Sequence, residues 1–567
     1  MSRCLTRRCC SIGLVGTALM AVMLVLAHPV RAADPFKAAA GKPEKKDAAP
    51  ADPDAPLEVR IPVDRNSHVT FGPAGCPVIV SGNEVWNVRE GTIQTELDGK
   101  VERNAITVLS DDGKYFAAAM KSKNQEDTPV CVWSTETGQK VCEIPGTPNR
   151  FADLIVFTRN KYLILGGRST TDFRVWDIEE AKESKPIDVK AKRIEQGKAA
   201  FSADGELFLA VVNDKLTLFK TATGKSVTVM SPPRRMARGA APVASAPAAV
   251  APKPVRGKPA AIPPGDPFDA VFVYAWLQAL KFSPDGTEIA AVSTHPDPRL
   301  IVWDIKGKLL FDEPLMLPSM AFWEHSLQWL PDKSGWLVSG HIVDRESKRP
   351  VVGIRKTFGD DLRVWLYDTN HLVGAFPNNP AELQAYVIPW KEIRESIASI
   401  NQPNVALLGP SQPVSINIEF GGQLSGDANQ TAAQIANALG QRLQRDGIKI
   451  ANGQKTTFHL RFSEQAGDTL PIYSRQSPFD FRGNDTGRTA TERKGSLVVE
   501  LTAEGEAAPL WREALDASSA RSFREDINDA NIRKTMLESL TRQIGELYLP
   551  YFIPKDETRL ALPVVFQ

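Results

Sequence analysis

The stretch Leu280 to Asp304, LKFSPDGTEIAAVSTHPDPRLIVWD, decides the fold. An apolar strand ends at Phe282, and Ser283-Pro284-Asp285-Gly286 supplies turn chemistry: proline presets φ, aspartate bonds nearby backbone, and glycine accepts positive φ. A second strand follows at Ile289 to Val292. The turn His295-Pro296-Asp297-Pro298 stops it, and a third strand, Leu300 to Trp303, is closed by Trp303-Asp304. Three short strands in so few residues cannot bury both faces alone, so the unit needs neighbours of its own kind.

The copies are present. The strand-closing signal recurs as Val85-Trp86-Asn87, Val132-Trp133-Ser134, Val175-Trp176-Asp177, Leu218-Phe219-Lys220, Val302-Trp303-Asp304 and Val364-Trp365-Leu366. Its aromatic residues are 47, 43, 43, 84 and 62 positions apart, close to the period of roughly 40 to 45 residues of a four-stranded propeller blade. The opening turn recurs as Phe71-Gly-Pro-Ala-Gly75, Leu109-Ser-Asp-Asp-Gly113, Phe157-Thr-Arg-Asn160, Phe201-Ser-Ala-Asp-Gly205, Phe282-Ser-Pro-Asp-Gly286 and, more loosely, Trp329-Leu-Pro-Asp332 running to Gly335. Each closing aromatic is expected to share a sheet with its own opening turn. Gly91, Gly138, Gly224 and Asn370 lie five positions beyond an aromatic, and Gly307 four, where tolerance of positive φ lets a third strand turn into a fourth.

These motifs resemble divergent WD repeats over roughly residues 57 to 378, and the resemblance implies a β-propeller. Only Trp176-Asp177 and Trp303-Asp304 keep the full WD pair. The Gly-His pair that precedes the first strand in regular repeats is absent, since Gly340-His341 follows a strand instead. The polar network that histidine would join is not expected.

The expected fold class is therefore an all-β propeller with six visible blades, possibly seven, followed by a small α+β domain. Within 567 residues the expected organisation is a signal peptide at 1–32, a spacer without a core at 33–56, the propeller at 57–402, and the α+β domain at 403–567. The propeller segment includes a Pro/Ala-rich basic insertion at 231–266 and a helical connection near 389–402. Apolar content of 42% and charge of 24% are ordinary for a globular chain. Net charge is +1, and about −3 without the four leader arginines, a balance that does not point to nucleic acid.

Arg3, Arg7 and Arg8 precede an uncharged apolar run from Ser11 to Ala27, and Val30-Arg31-Ala32 has the small-residue pattern of a cleavage site. Export to the periplasm or the exterior, with cleavage near Ala32, is expected. Leu57 to Val63 alternates as a strand and should pair with residues after the sixth blade, because marrying the chain ends removes exposed edges. The long interval before Trp303 is explained by the insertion, whose Arg234, Arg235, Arg238, Lys253, Arg256 and Lys258 are uncompensated until Asp266. It is read as a solvated loop, with an anionic cell-wall polymer as a further partner. The 62-residue interval before Trp365 is expected to hide an excursion around Val343 to Gly359.

In the C-terminal part, Val414, Ile416, Ile418 and Phe420 alternate as a strand. Ala432, Ile435, Leu439 and Leu443 form a helical stripe ended by Gly447. Strands around Phe458 to Phe462, Leu497 to Leu501 and Leu510 to Ala514 follow, then a helix from about Ile527 to Leu547. In general plan this unit is similar to small domains of bacterial envelope proteins, including the accessory domain of the Tol-system propeller protein.

No catalytic, cofactor-binding or metal-ligating constellation is present in the sequence: GxSxG, HExxH, CxxC and phosphate-binding glycine loops are all missing. Asp111-Asp112 and Asp360-Asp361 fall in turns, where aspartate serves the backbone. His459 alternates with Phe458 and Leu460 and is read as structural. Cys131 falls opposite Cys142 if Ser134 pairs with Gln139, so a disulfide between them stands beside the alternative of two buried thiols. The segment Gly467 to Lys494, read as a long loop, carries Tyr473, Arg475, Phe479, Phe481, Arg482 and Arg488, residue types that anchor interfaces. The expected function is a non-enzymatic exported scaffold binding protein partners. The alternative is an extracytoplasmic enzyme or small-ligand binder using the propeller channel.

Overall fold

The computed structural model describes residues 57, 59–63, 69–102, 105–120, 129–146, 152–167, 172–184, 187–188, 194–212, 215–232, 277–293, 298–315, 327–354, 364–376, 379–422, 424–474, 484–519 and 529–566. The leader, the spacer up to residue 56 and nearly all of the basic insertion lie outside them. Residues Pro53–Gln567 form one compact unit.

The architecture is mostly β and propeller-like. Among the described residues seven sheets follow one antiparallel plan, in which strands pair with the next in sequence, the seventh sheet excepted at its last strand. The first runs Val69–Phe71, Val78–Ser81, Glu84–Asn87 and Thr92–Glu96. The second runs Ile106–Leu109, Tyr115–Ala119, Val130–Ser134 and Lys140–Ile144. The third, fourth and fifth begin at Ala152–Thr158, Ile194–Phe201 and Leu277–Phe282. In these five sheets the closing aromatic lies on the third strand and the opening turn follows the first, as expected.

The sixth copy is corrected. Trp329 ends the first strand of a sheet formed by Leu327–Trp329, Gly335–Val338, His341–Asp344 and Pro350–Ile354. Trp365 belongs to the next sheet, on its first strand Val364–Leu366, followed by His371–Phe376 and Asn379–Val387. The supposed excursion from Val343 to Gly359 is in part the last two strands of the sixth sheet, and residues 355–363 lie outside the described set. Spacing misled here because Trp365 occupies a different strand position from the other aromatics. The seventh sheet takes its fourth strand from the start of the chain: Arg60–Pro62 pairs with Asn379–Val387, Ile61 opposite Leu383.

Two features recur from sheet to sheet. Serines in the opening turns donate to the turn aspartate, Ser110 to Asp112 at 2.8 Å, Ser202 to Asp204 at 2.6 Å and Ser283 to Asp285 at 2.6 Å. The same hydroxyls accept the N–H of the residue opening the second strand, from Tyr115, Leu207 and Glu288. These aspartates are thus engaged in shaping the backbone. The second feature is a bulge on the outer strand beside the closing aromatic, between the pairings of Val85 and Trp86, Val132 and Trp133, Leu218 and Phe219, and Val302 and Trp303. A bulge twists an edge away from flat pairing.

At two junctions neighbouring sheets are clamped through the aromatic. Trp133 Nε1 donates to Asp98 O at 2.7 Å, and Asp98 N donates back to Gly138 O at 2.7 Å. Three sheets further on, Trp303 Nε1 donates to Ser231 O at 2.7 Å and Ser231 N to Gly307 O at 2.9 Å. Each clamp ties a third strand and its following turn to the chain just beyond the last strand of the preceding sheet. A Cβ on Gly138 would run into the Glu96 carbonyl, and one on Gly307 would meet Val229 O at 2.7 Å. These glycines serve the neighbouring sheet as well as their own turn.

Helix α1, Trp390–Ser399, leaves the seventh sheet and buries Ile393. A mixed sheet then orders Ser415–Phe420, Thr456–Ser474, Asn484–Ala503 and Trp511–Ser518, with the first pair parallel across helix α2, Ala428–Arg445. Asp427 caps α2 by accepting from Asn429 N at 2.8 Å. Ile435, Leu439 and Leu443 of α2, and Met536, Leu540 and Ile544 of helix α3, Asp529–Gly545, pack on Phe458, Leu460, Phe462, Leu497 and Val499. The chain then returns: Ile553–Pro554 pairs with Ala406–Leu408, and Val564–Phe566 adds in parallel to Pro350–Ile354 of the sixth sheet.

Candidate functional site

The cysteine expectation is corrected. Ser134 N does donate to Gln139 O, but the bulge beside Trp133 moves the register by one residue. Cys131 faces Glu143, and Cys142 faces Val132, so the two thiols point to opposite faces of the sheet and all three described cysteines are free. Burial pushes the Cys142 thiol up to about 11 and that of Cys76 to about 12, away from thiolate chemistry.

The segment Gly467 to Lys494 is also corrected. Most of it is strand: Thr456–Ser474 and Asn484–Ala503 run on past their neighbours as a two-stranded arm, with Thr469 opposite Thr491 and Tyr473 opposite Asp485. The ladder continues past Gly467 and through Pro471, so strand pairing extends where a loop was expected. Arg475, Phe479, Phe481 and Arg482 lie outside the described residues, and Arg488 is exposed. At the root of the arm Lys494 lies 3.3 Å from Glu492 and 3.5 Å from Asp468, and Ser518 also donates to Glu492. Glu492 feels burial that would raise it, but Ser518 and Lys494 outweigh that and hold its carboxyl below the usual range.

The histidines are dispersed. His371 Nδ1 meets the Asp368 carboxylate at 2.9 Å and His459 Nε2 meets Thr502 Oγ1 at 3.1 Å. Among the described residues no three His, Cys, Asp or Glu side chains are grouped as metal ligands would be, and no helix is long and apolar enough to cross a membrane.

Several opening turns are strapped to the turn of a neighbouring sheet. Gly75 N donates to Tyr367 O of the seventh sheet at 2.6 Å, and Phe71 stacks on Trp365 at 5.6 Å. Cys76 Sγ contacts Ser110 O at 3.9 Å, Arg159 N donates to Ala203 O at 3.1 Å, and Lys333 Nζ donates to Asp285 at 2.6 Å. Burial would raise the Asp285 carboxyl, but the bonds from Lys333, Ser283 and Thr287 hold it far below the usual range.

The densest group of buried polar side chains was not anticipated from the sequence. It lies where the sixth sheet meets α2 and the segment after α3. Arg394 Nη1 donates to the fully buried Asp344 at 2.5 Å, and Arg442 Nη1 to Asp446 at 2.5 Å. Arg349 Nη1 donates to Asp446 O at 3.2 Å while its guanidinium covers the Tyr551 ring at 4.9 Å. Tyr548 packs on His341 at 5.4 Å, in space left open because residue 353 is a glycine. His341 Nδ1 lies 3.0 Å from Ser339 O, so Nδ1 carries the proton, and burial pushes the imidazole down to about 4. Residues 341, 349, 394, 442, 446, 548 and 551 have no shared spacing, and only the folded chain collects them.

Neither a family model nor a curated protein matches this chain.

Proposed function

We propose that residues 57–402 form a closed, seven-bladed, WD-repeat-like propeller, and that the protein is an exported, non-enzymatic scaffold of the cell envelope that binds a protein partner. The observation that carries this reading is the bond from Gly75 N to Tyr367 O, which joins the first sheet to the last, beside the straps between other neighbouring opening turns. Turns held in this way present a preorganised loop surface, which lowers the ordering cost of association. The two-stranded arm is the second contact element, because an isolated pair of strands is marginal in water and gains from a partner. The export leader and the basic insertion belong to the proposal on sequence grounds alone.

The test is affinity capture with cross-linking from envelope extract of the source organism, using the full chain, a variant with exchanged opening turns, and a variant with the arm shortened. One defined partner, lost in either variant, supports the scaffold. Unchanged capture in both sinks it.

A second reading, a small-ligand site in the channel, has one observation in its favour. Asp111, exposed on the opening turn of the second sheet, lies close enough to Lys281 of the fifth for that ammonium to draw its carboxyl down, against the partial loss of solvent that raises it. Loss of a defined small ligand in Asp111→Asn would favour that reading.

A further inference from the structure

The seam between the sixth sheet and the C-terminal unit holds three guanidiniums and two carboxylates. Arg394 is matched to Asp344 and Arg442 to Asp446. Among the described residues Arg349 has no carboxylate of its own, only a carbonyl oxygen and an aromatic face. Among these groups positive charge exceeds negative, and a partly buried charge without compensation is costly.

Beside that cation, hydrogen-bonding capacity is left over. The hydroxyls of Tyr551, Tyr548 and Ser347 are shielded from solvent and have no partner. Tyr551 is 2% exposed, its ring lies under Arg349, and its hydroxyl feels the charges of Arg349, Asp446 and Asp344. Ser347 N donates to Asp344 at 2.7 Å, which places that residue at the same carboxylate. Buried hydroxyls are ordinarily satisfied. Surplus positive charge next to unpartnered hydroxyl donors is the combination that recognises an oxyanion.

We propose that the seam binds a small oxyanion of the phosphate, sulfate or carboxylate class, with Arg349 supplying charge and the Tyr551 hydroxyl donating. Arg349 is only half-buried, which marks the side of entry. The bound anion would join the sixth sheet to the C-terminal unit, a role separate from any partner bound by the propeller turns.

Thermal unfolding of the full chain in chloride buffer, compared at equal ionic strength with inorganic phosphate, sulfate and acetate, tests the proposal. Wild type should show a saturable rise in Tm, with equilibrium dialysis finding one anion per chain. A rise with phosphate or sulfate identifies an inorganic oxyanion, and a rise with acetate alone identifies a carboxylate. Tyr551→Phe should keep its Tm in chloride, since it removes an unpartnered hydroxyl, yet lose most of the anion-dependent rise, and Arg349→Gln should lose dialysis-detected binding at least tenfold. No saturable rise in wild type overturns the proposal. So does a rise that persists in both variants, which would be general salt stabilisation, or a Tm loss in Tyr551→Phe without anion, which would show the hydroxyl already engaged. If Arg349→Gln does not fold, Tyr551→Phe decides alone.

Discussion

The repeating sheets and the seam with the C-terminal unit are held by opposite means. In the sheets each tie is local or one repeat away, and the same kind of bond recurs in another copy, as with Trp133 to Asp98 O and, three sheets on, Trp303 to Ser231 O. In the seam the ties between elements are long-range and made once: Arg442 reaches Leu547 O, and Arg394 reaches Asp344. Repetition tolerates a weak copy, because neighbours supply the same contacts. A seam made once has no such reserve, so the two regions should respond differently to mutation and to pH.

The largest effect is expected where a repeat's clamp and its core are lost together. Trp303 is fully buried, and Trp303→Ala should lower stability by about 3 to 5 kcal/mol, as for other large buried aromatics. Trp303→Phe keeps most of the volume and loses the bond to Ser231, so about 1 kcal/mol is expected. Urea unfolding of both variants separates packing from clamp, and an unchanged stability in Trp303→Phe would deny the clamp any part.

The seam should be weakened by acid, which sets it apart from the sheets. His341 sits at about 4 in the folded chain, against roughly 6.5 for an unfolded histidine. Between those values the unfolded state binds more protons, so stability rises with pH across the window and falls on acidification, by about 3 kcal/mol from pH 6.5 to pH 4. Below the lower limit and above the upper one the group contributes no slope. Urea midpoints measured against pH for wild type and His341→Gln should diverge only inside the window, and parallel curves would refute the assignment.

Gly138 tests contact between sheets. Gly138→Ala places a methyl group at φ 72° and against the Glu96 carbonyl, for which about 1 to 3 kcal/mol is expected. Gly286 has a similar φ of 69° but open space at its Cβ, so Gly286→Ala should cost about 1 kcal/mol from backbone strain alone. The difference between the two variants measures the approach of the neighbouring sheet.

What was legible follows the same division. The opening turns and five of the closing aromatics could be read because turn chemistry and alternation are written within a few residues. The bulge beside four of them could not, since it adds one residue to an outer strand without changing residue type. That single missed residue turned Cys131 toward Glu143 instead of Cys142. Trp365 misled for a related reason: a tryptophan next to a valine satisfies the pattern on a first strand as well as on a third. In the C-terminal unit the stripe of Ile435, Leu439 and Leu443 marked α2, but nothing near Tyr548 shows that Gly353, far earlier in the chain, leaves room for it.

The smallest effect is expected at a contact within the C-terminal unit that its sequence announces. Asp427 precedes the stripe of α2, and its carboxylate accepts from Asn429 N at 2.8 Å and Gln430 N at 3.2 Å. Asp427→Ala leaves those N–H groups to water and removes a negative charge from the positive end of the helix, so about 1 kcal/mol should be lost. Asp427→Asn keeps an acceptor but not the charge and should lose only a few tenths of that. Because α2 carries Arg442 and Asp446 at its other end, hydrogen exchange should report fraying in the first turn of Asp427→Ala while the last turn stays protected. Loss of protection at Arg442 as well would mean that the helix and the seam open together, and the contrast between local and single-copy ties would fail at the place where the two kinds meet.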